Sequence, residues 1–203
     1  MTPYRVLEQL LALEQRVRHV YVRLSQRQQF PAELRAAWIT MAEDETHHIV
    51  ALEWSAHLFS VMEFPPSIPD HVLANIETVI AAAEATVQQT HLTSDGAFHQ
   101  ALQIEGSELS HLDDAWMHGF RSTTSVSLQA LAPKTQPHIR CLIDAVHRFS
   151  IDTVLQAEAD ALGVQYAQPR QPPVRTELPP AAILRIITSI AHIYGVSFAA
   201  LRA

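Results

Sequence analysis

The chain has 203 residues, of which 48% are hydrophobic and 17% are charged, a composition typical of a folded globular protein. Its formal net charge of −7 argues against broad binding to nucleic acids or to anionic membranes. The single cysteine, Cys141, excludes an internal disulfide and a Cys-x-x-Cys metal module. The sequence shows neither a signal peptide nor a membrane-spanning apolar run, so the expected compartment is the cytoplasm.

Four long amphipathic helices are predicted in chain order. The first covers residues 3–28 and the second covers residues 31–62, with apolar residues repeating at helical spacing. An alanine-rich stretch, residues 71–91, predicts a further helix in a long crossover. The third long helix covers residues 94–120 and the fourth covers residues 136–162. This order predicts an all-α four-helix bundle with one long crossover helix.

The composition changes after the bundle, which we assign to residues 1–165. Residues 166–180 include five of the twelve prolines and predict an extended linker. Residues 181–203 begin with an apolar helix, and its isoleucines would be exposed unless they pack on the bundle or on a partner subunit. This C-terminal segment also has a faint similarity to the start of the DNA-binding domain of the bacterial replication initiator, without its recognition helix.

An acid and a histidine interrupt the apolar stripe of the predicted second helix. Glu45 and His48 share a helical face with Leu34, Trp38 and Leu52. A charged carboxylate in a core costs several kcal/mol unless a metal ion, a basic group or a proton neutralises it. The pair therefore either forms an internal salt bridge or has a companion elsewhere in the chain.

The other three long helices also carry acids on their apolar sides. Glu14 lies in the stripe of the first helix, Glu105 in that of the third, and Asp144 with His147 in that of the fourth. Di-iron and di-manganese carboxylate bundles use one Glu from each of two helices and an acid-x-x-His pair from each of the other two. Two divalent cations would balance the clustered carboxylates and leave coordination positions open for oxygen.

At these residues the chain resembles the rubrerythrin/ferritin-like superfamily of di-iron carboxylate proteins. Residues 14–21 match the family's Glu-x6-Tyr motif, and residues 42–48 match its alanine–acid–x–Glu-x-x-His motif. Residues 105–108 match its Glu-x-x-Glu motif, and residues 144–147 fill the position of its fourth-helix pair. Asp144 departs from the family pattern, which has Glu at that position, and Leu112 stands where a second Tyr is common.

The resemblance implies a ferritin-like bundle that binds two iron ions, or manganese in their place. It implies oxygen- or peroxide-linked redox activity, such as that of a ferroxidase or a peroxidase, with Tyr21 as the candidate catalytic residue. No rubredoxin domain is present, so the resemblance implies an external electron donor, and a homodimer is the expected assembly. The implied metal ligands are Glu14, Glu45, His48, Glu105, Glu108, Asp144 and His147, with Glu108 as a switchable seventh.

Two other functions remain open from the sequence. A di-iron oxygenase acting on a small organic substrate would use His111 as an extra ligand and would need a cavity beside the metals. A metal-free helical interaction or regulatory module would bind its partner through the C-terminal segment, and it would need no redox chemistry.

Overall fold

The computed structural model describes residues 3–58, 70–107 and 135–167. All regular secondary structure in these residues is helical, so the predicted all-α class is confirmed for this part of the chain. None of the described helices is long and apolar enough to span a membrane. The helices are α1 (Pro3–Ser25), α2 (Ala32–Leu58), α3 (Asp70–Val87), α4 (Ser94–Gly106), α5 (Thr135–Phe149) and α6 (Thr153–Ala167).

The pair α1 and α2 forms the most extensive helix–helix contact. Its core contains Leu10, Leu24, Leu34 and Trp38, each no more than 1% exposed. The connection between the two helices is short, and Phe30 within it is itself buried, which anchors the turn to the core. The first two predicted helices are therefore present, with the start of each within about one residue of its expected position.

The predicted crossover helix is present as α3. It buries Ile76, Ile80 and Ala83 at helical spacing and packs against α1 and α4. On the α1 side, the Arg16 guanidinium donates to both carboxylate oxygens of Glu84, through Nε at 2.9 Å and Nη2 at 2.7 Å. This two-bond pair fixes the angle between α1 and α3 more tightly than a single contact would.

The helix α4 is shorter than predicted. It begins after Thr93, whose side chain accepts a hydrogen bond from the Gly96 amide as an N-cap. It ends at Gly106, because Ser107 adopts extended backbone and donates its amide to the carbonyls of the last turn. The predicted extension of this helix to residue 120 is therefore wrong at Ser107, and residues 108–134 lie outside the described part of the chain.

The predicted fourth helix is two helices rather than one. α5 ends at Phe149 and α6 begins at Thr153. Between them, the Asp152 carboxylate accepts hydrogen bonds from the amides of Val154 and Leu155, which caps the start of α6. Since Asp and Ser favour caps over helix interiors, residues 150–152 carry the local signal for this break.

The helix α6 continues beyond its predicted end at residue 162. It passes through Gly163 and reaches Ala167, so the boundary expected at residue 165 falls inside a helix. It packs on α5 and α4, and Leu155, Ala159 and Leu162 form its buried face. The remaining linker and the C-terminal segment lie outside the described residues.

The ion pair between α1 and α3 makes a pH-dependent contribution to stability. Hydrogen bonding to Arg16 lowers the pKa of Glu84. The contribution is therefore complete above the usual glutamate pKa of about 4.3 and is lost as the pH falls through the lowered value. We expect Glu84→Gln to cost about 0.5–1 kcal/mol of unfolding free energy at pH 7 in urea titrations, and progressively less as the pH falls through the lowered pKa.

The matched control is Glu77→Gln. The Glu77 carboxylate lies 3.6 Å from the same guanidinium but is 68% exposed, so its removal should have almost no effect. Equal losses for the two variants at pH 7 would contradict the importance of the two-bond geometry.

Candidate metal centre

Five ionisable side chains with almost no exposure to solvent meet between four helices. None of them is more than 4% exposed. Each lies in the apolar stripe of its own helix, so the packing of the helices carries it inward. The five are Glu14 from α1, Glu45 and His48 from α2, Glu105 from α4 and His138 from α5.

The first group of possible ligands consists of Glu14, Glu45 and His48. Nδ1 of His48 lies 3.1 Å from Oε2 of Glu45 and 3.7 Å from Oε2 of Glu14. Glu45 and His48 are three residues apart on α2 and share a face, whereas Glu14 reaches them from α1. One ligand atom from each residue lies within 4.8 Å of the other two.

The second group consists of Glu45, Glu105 and His138. Nε2 of His138 lies 3.0 Å from Oε1 of Glu105 and 3.3 Å from Oε1 of Glu45. These ligand atoms also lie within 4.8 Å of one another. Glu45 belongs to both groups, because its Oε2 faces His48 while its Oε1 faces His138.

The arrangement fits a pair of divalent metal ions that share one carboxylate. Oxygen and nitrogen ligands bind such ions at about 2.0–2.2 Å, so two ligands of one ion are at most about 4.4 Å apart. The atoms of each group are within 4.8 Å of one another, and a small contraction would bring them into range. Carboxylates and imidazoles are ligands common to iron, manganese and zinc, so the ligand types leave the identity of the ion open.

The carboxylates determine the protonation of both histidines. Burial alone would lower the pKa of His48, but the facing Glu45 and Glu14 outweigh it and raise the pKa well above its usual value. For His138, Glu105 and Asp44 outweigh burial in the same way and also raise the pKa well above its usual value. The facing carboxylates therefore favour the protonated form of both imidazoles, and metal binding would displace these protons.

Tyr21 from α1 lies against the second ligand group. Its hydroxyl donates a 2.5 Å hydrogen bond to Oε1 of Glu105, and the side chain is fully buried. Burial, followed by the charges of Glu105 and Glu45, raises the pKa of Tyr21 well above its usual value. The phenol therefore stays protonated. Its ring stacks on Trp38, with ring centroids 5.9 Å apart, which restricts its orientation.

Asp44 holds the outer side of His138. Its Oδ2 lies 3.3 Å from Nδ1 of His138, while the opposite ring nitrogen faces Glu105 and Glu45. Burial acts to raise the pKa of Asp44, but the hydrogen bond and charge of His138 outweigh it and lower the pKa. A carboxylate on the outer nitrogen fixes the orientation and tautomer of a ligating imidazole.

Four of the residues predicted from the sequence come together in the structure. Glu14, Glu45, His48 and Glu105 lie in the two ligand groups, and the predicted Tyr21 lies beside them. Their helical phase could be predicted because each lies between buried apolar residues of one continuous helix.

Asp144 and His147 do not join the cluster. The prediction that they lie on the inner face is wrong, since both side chains are exposed and His147 pairs with Asp160 at 2.8 Å. On one continuous helix, Asp144 and His147 would share a face with the apolar residues Ile151 and Val154. The helix ends before them, and they are 95% and 64% exposed.

His138 was not predicted from the sequence, yet it is the imidazole that α5 contributes. It lies on one face with Leu142 and Val146, which are both buried, and this spacing was a usable signal. His138 does not match the acid-x-x-His pattern, because the residue three positions before it is Thr135 and not an acid. The other two candidates, Glu108 and His111, lie outside the described residues.

Comparison with known proteins adds no relative. No protein-family model, curated protein or solved structure matches the chain.

The contact between Asp44 and His138 predicts a selective effect on metal binding. We expect Asp44→Asn to weaken the binding of Mn²⁺ to the second group about 10- to 100-fold, because the imidazole loses its orienting carboxylate. Binding to the first group should change little. Calorimetric titration of metal-free protein with Mn²⁺ measures both steps. Glu43→Gln is the control, since this neighbouring acid is exposed, and a similar loss in both variants would contradict the role of Asp44.

Proposed function

We propose that the protein is a two-metal carboxylate protein, holding iron or manganese, with redox activity toward dioxygen or peroxide. The observation that carries the proposal is the position of Glu45, whose two oxygens face His48 and His138 in separate ligand groups. An internal salt bridge on α2 would account for one of these contacts. In the metal-free protein a second salt bridge, from α2 to α5, accounts for the other contact, and the two contacts together place the carboxylate where two ions would share it.

The protein's own part in this chemistry is to hold, orient and shield the reacting ions. Glu14 and His48 would bind one ion, Glu105 and His138 the other, and Glu45 both. A pair of iron or manganese ions held there would supply the electrons for reduction of dioxygen or peroxide. The near-complete burial of the ligands excludes bulk water and strengthens each electrostatic contact.

Tyr21 would serve as a proton donor at the edge of this site. Its hydroxyl donates to Oε1 of Glu105, and the raised pKa keeps the phenol protonated, so the proton lies beside a candidate ligand carboxylate. The reduction of dioxygen or peroxide consumes protons, so a buried donor beside a ligand carboxylate suits the proposed reaction.

We further propose that α1, α2, α4 and α5 form a ferritin-like four-helix bundle with α3 as its crossover helix. Each of these four helices supplies at least one residue of the cluster, and α3 packs on α1 and α4. The chain has a single cysteine, which cannot hold an iron–sulfur group, so reduction would require an external electron donor. We retain a cytoplasmic homodimer as part of the proposal.

Metal content tests the two-ion site directly. Metal-free protein loaded anaerobically with Fe²⁺ should retain about two ions per chain after desalting, as measured by elemental analysis. We expect Glu45→Gln to retain less than about one ion, because this residue belongs to both groups, and His138→Ala to retain about one.

The matched control replaces the exposed pair of α5. A protein with both Asp144→Ala and His147→Ala should retain as much iron as the wild type, because neither side chain reaches the cluster. Fewer than about 0.3 ions per wild-type chain, unchanged by Glu45→Gln, would favour the metal-free interaction module instead.

Redox activity is tested on the loaded protein. Peroxide added to the Fe²⁺-loaded wild type should oxidise the bound iron faster than it does in Glu45→Gln given equal Fe²⁺. Stopped-flow absorbance measures the two rates. We expect Tyr21→Phe to retain its metal but to react at least about tenfold more slowly, since the phenol proton is missing. An unchanged rate for Tyr21→Phe would contradict its role as proton donor.

A further inference from the structure

The helix α6 has two apolar faces, of which the described structure covers only one. Its inner face packs against α4 and α5. Its outer face carries Val154, Ala157, Ala161 and Val164, and both valines are 64% exposed. Ile151, just before the helix, is 95% exposed and extends the apolar surface at that end. A helix that is apolar on opposite sides is typical of one packed between two layers.

We propose that the outer face of α6 is covered by the C-terminal segment of the same chain, residues 181–203. This segment contains an apolar stripe that also needs a partner. Isoleucines recur at helical spacing and would share one face of a helix. They are Ile183, Ile186, Ile187, Ile190 and Ile193.

The two stripes match in length and in shape. Val154 to Val164 and Ile183 to Ile193 each span ten residues, about 15 Å along a helix. The middle of the α6 stripe carries the small side chains of Ala157 and Ala161, against which the larger isoleucine side chains would pack. Branched side chains against small ones allow helices to approach closely.

The linker between the two elements is long enough for the segment to fold back. Residues 168–180 separate them and include five prolines, which favour an extended chain. Thirteen residues at about 3.1 Å each reach about 40 Å, whereas α6 is about 22 Å long. Because the segment is tethered, its effective concentration at α6 is in the millimolar range, which favours it over a free partner.

The charges favour this occupant over a second copy of α6. Glu158 and Asp160 lie beside the outer apolar stripe, and the helix has no lysine or arginine. Two copies packed through this face would bring these acids against each other. The C-terminal segment contains Arg185 and Arg202 and no acid, so it can approach α6 without that repulsion.

Cross-linking of paired cysteines in the full chain tests the contact. The test protein carries Ala161→Cys and Ile187→Cys in a Cys141→Ser background. A short bis-maleimide should cross-link the two cysteines within the same chain in most molecules. These positions lie near the middle of each stripe, so they meet in either helix direction. The control pair is Ala85→Cys with Ile187→Cys, because Ala85 is also exposed but lies on α3.

Two results of this experiment would overturn the proposal. Cross-linking of the Ala161 pair no greater than that of the Ala85 pair would show that the segment does not cover α6. Products formed mainly between chains, identified in a mixture of isotopically light and heavy protein, would show that another copy covers it.

Hydrogen exchange gives a second, independent readout. In the wild type, amides of residues 183–193 should exchange more slowly than those of an unstructured peptide. Val154→Asp with Val164→Asp should speed their exchange at least about tenfold, because the apolar contact is lost. Iron content should stay unchanged, which separates this proposal from that of the metal centre. Exchange in the wild type at unstructured rates would overturn it.

Discussion

The centre of the molecule is governed by the cost of placing three carboxylates and two imidazoles where water does not reach them. Each ionised group in such a place costs several kcal/mol unless a partner of opposite charge lies within contact distance. Glu45 meets this requirement twice, with one oxygen toward each histidine. The facing carboxylates raise the pKa of both His48 and His138, so the site favours positive charge at these positions.

Contacts from the surrounding helices position this charged centre. Tyr21 links α1 to the Glu105 carboxylate, and its ring stacks on Trp38, which in turn contacts Phe98 on α4. From the other side, the Tyr166 hydroxyl of α6 donates to the backbone carbonyl of Glu105. The end of α4 is thus held from two directions. This matters because a ligand at a helix end would otherwise move with the fraying of the last turn.

The site is asymmetric in a way that follows from α5. This helix contributes an imidazole, His138, and no carboxylate to either ligand group in the described structure. The acid that supports this histidine comes instead from α2, where Asp44 precedes the bridging Glu45. One stretch of α2 therefore contains both Glu45, which belongs to the two ligand groups, and Asp44, which orients His138 of α5. Because Asp44, Glu45 and His48 all lie in this stretch, the polar residues of α2 give the clearest functional signal in the sequence.

Periodicity along each helix was enough to predict the all-α class of the described residues and the place of Glu14, Glu45, His48 and Glu105 in apolar stripes, since it fixes the phase of a residue within one helix. Periodicity does not fix where a helix ends, because capping groups compete with continuation of the helix. The break after α5 and the early end of α4 therefore differ from the prediction. Spacing places His138 on a face with Leu142 and Val146, but whether that face turns toward the cluster depends on the contacts of α5 with α2, α4 and α6. Packing between helices is a long-range property, which spacing along one helix does not contain.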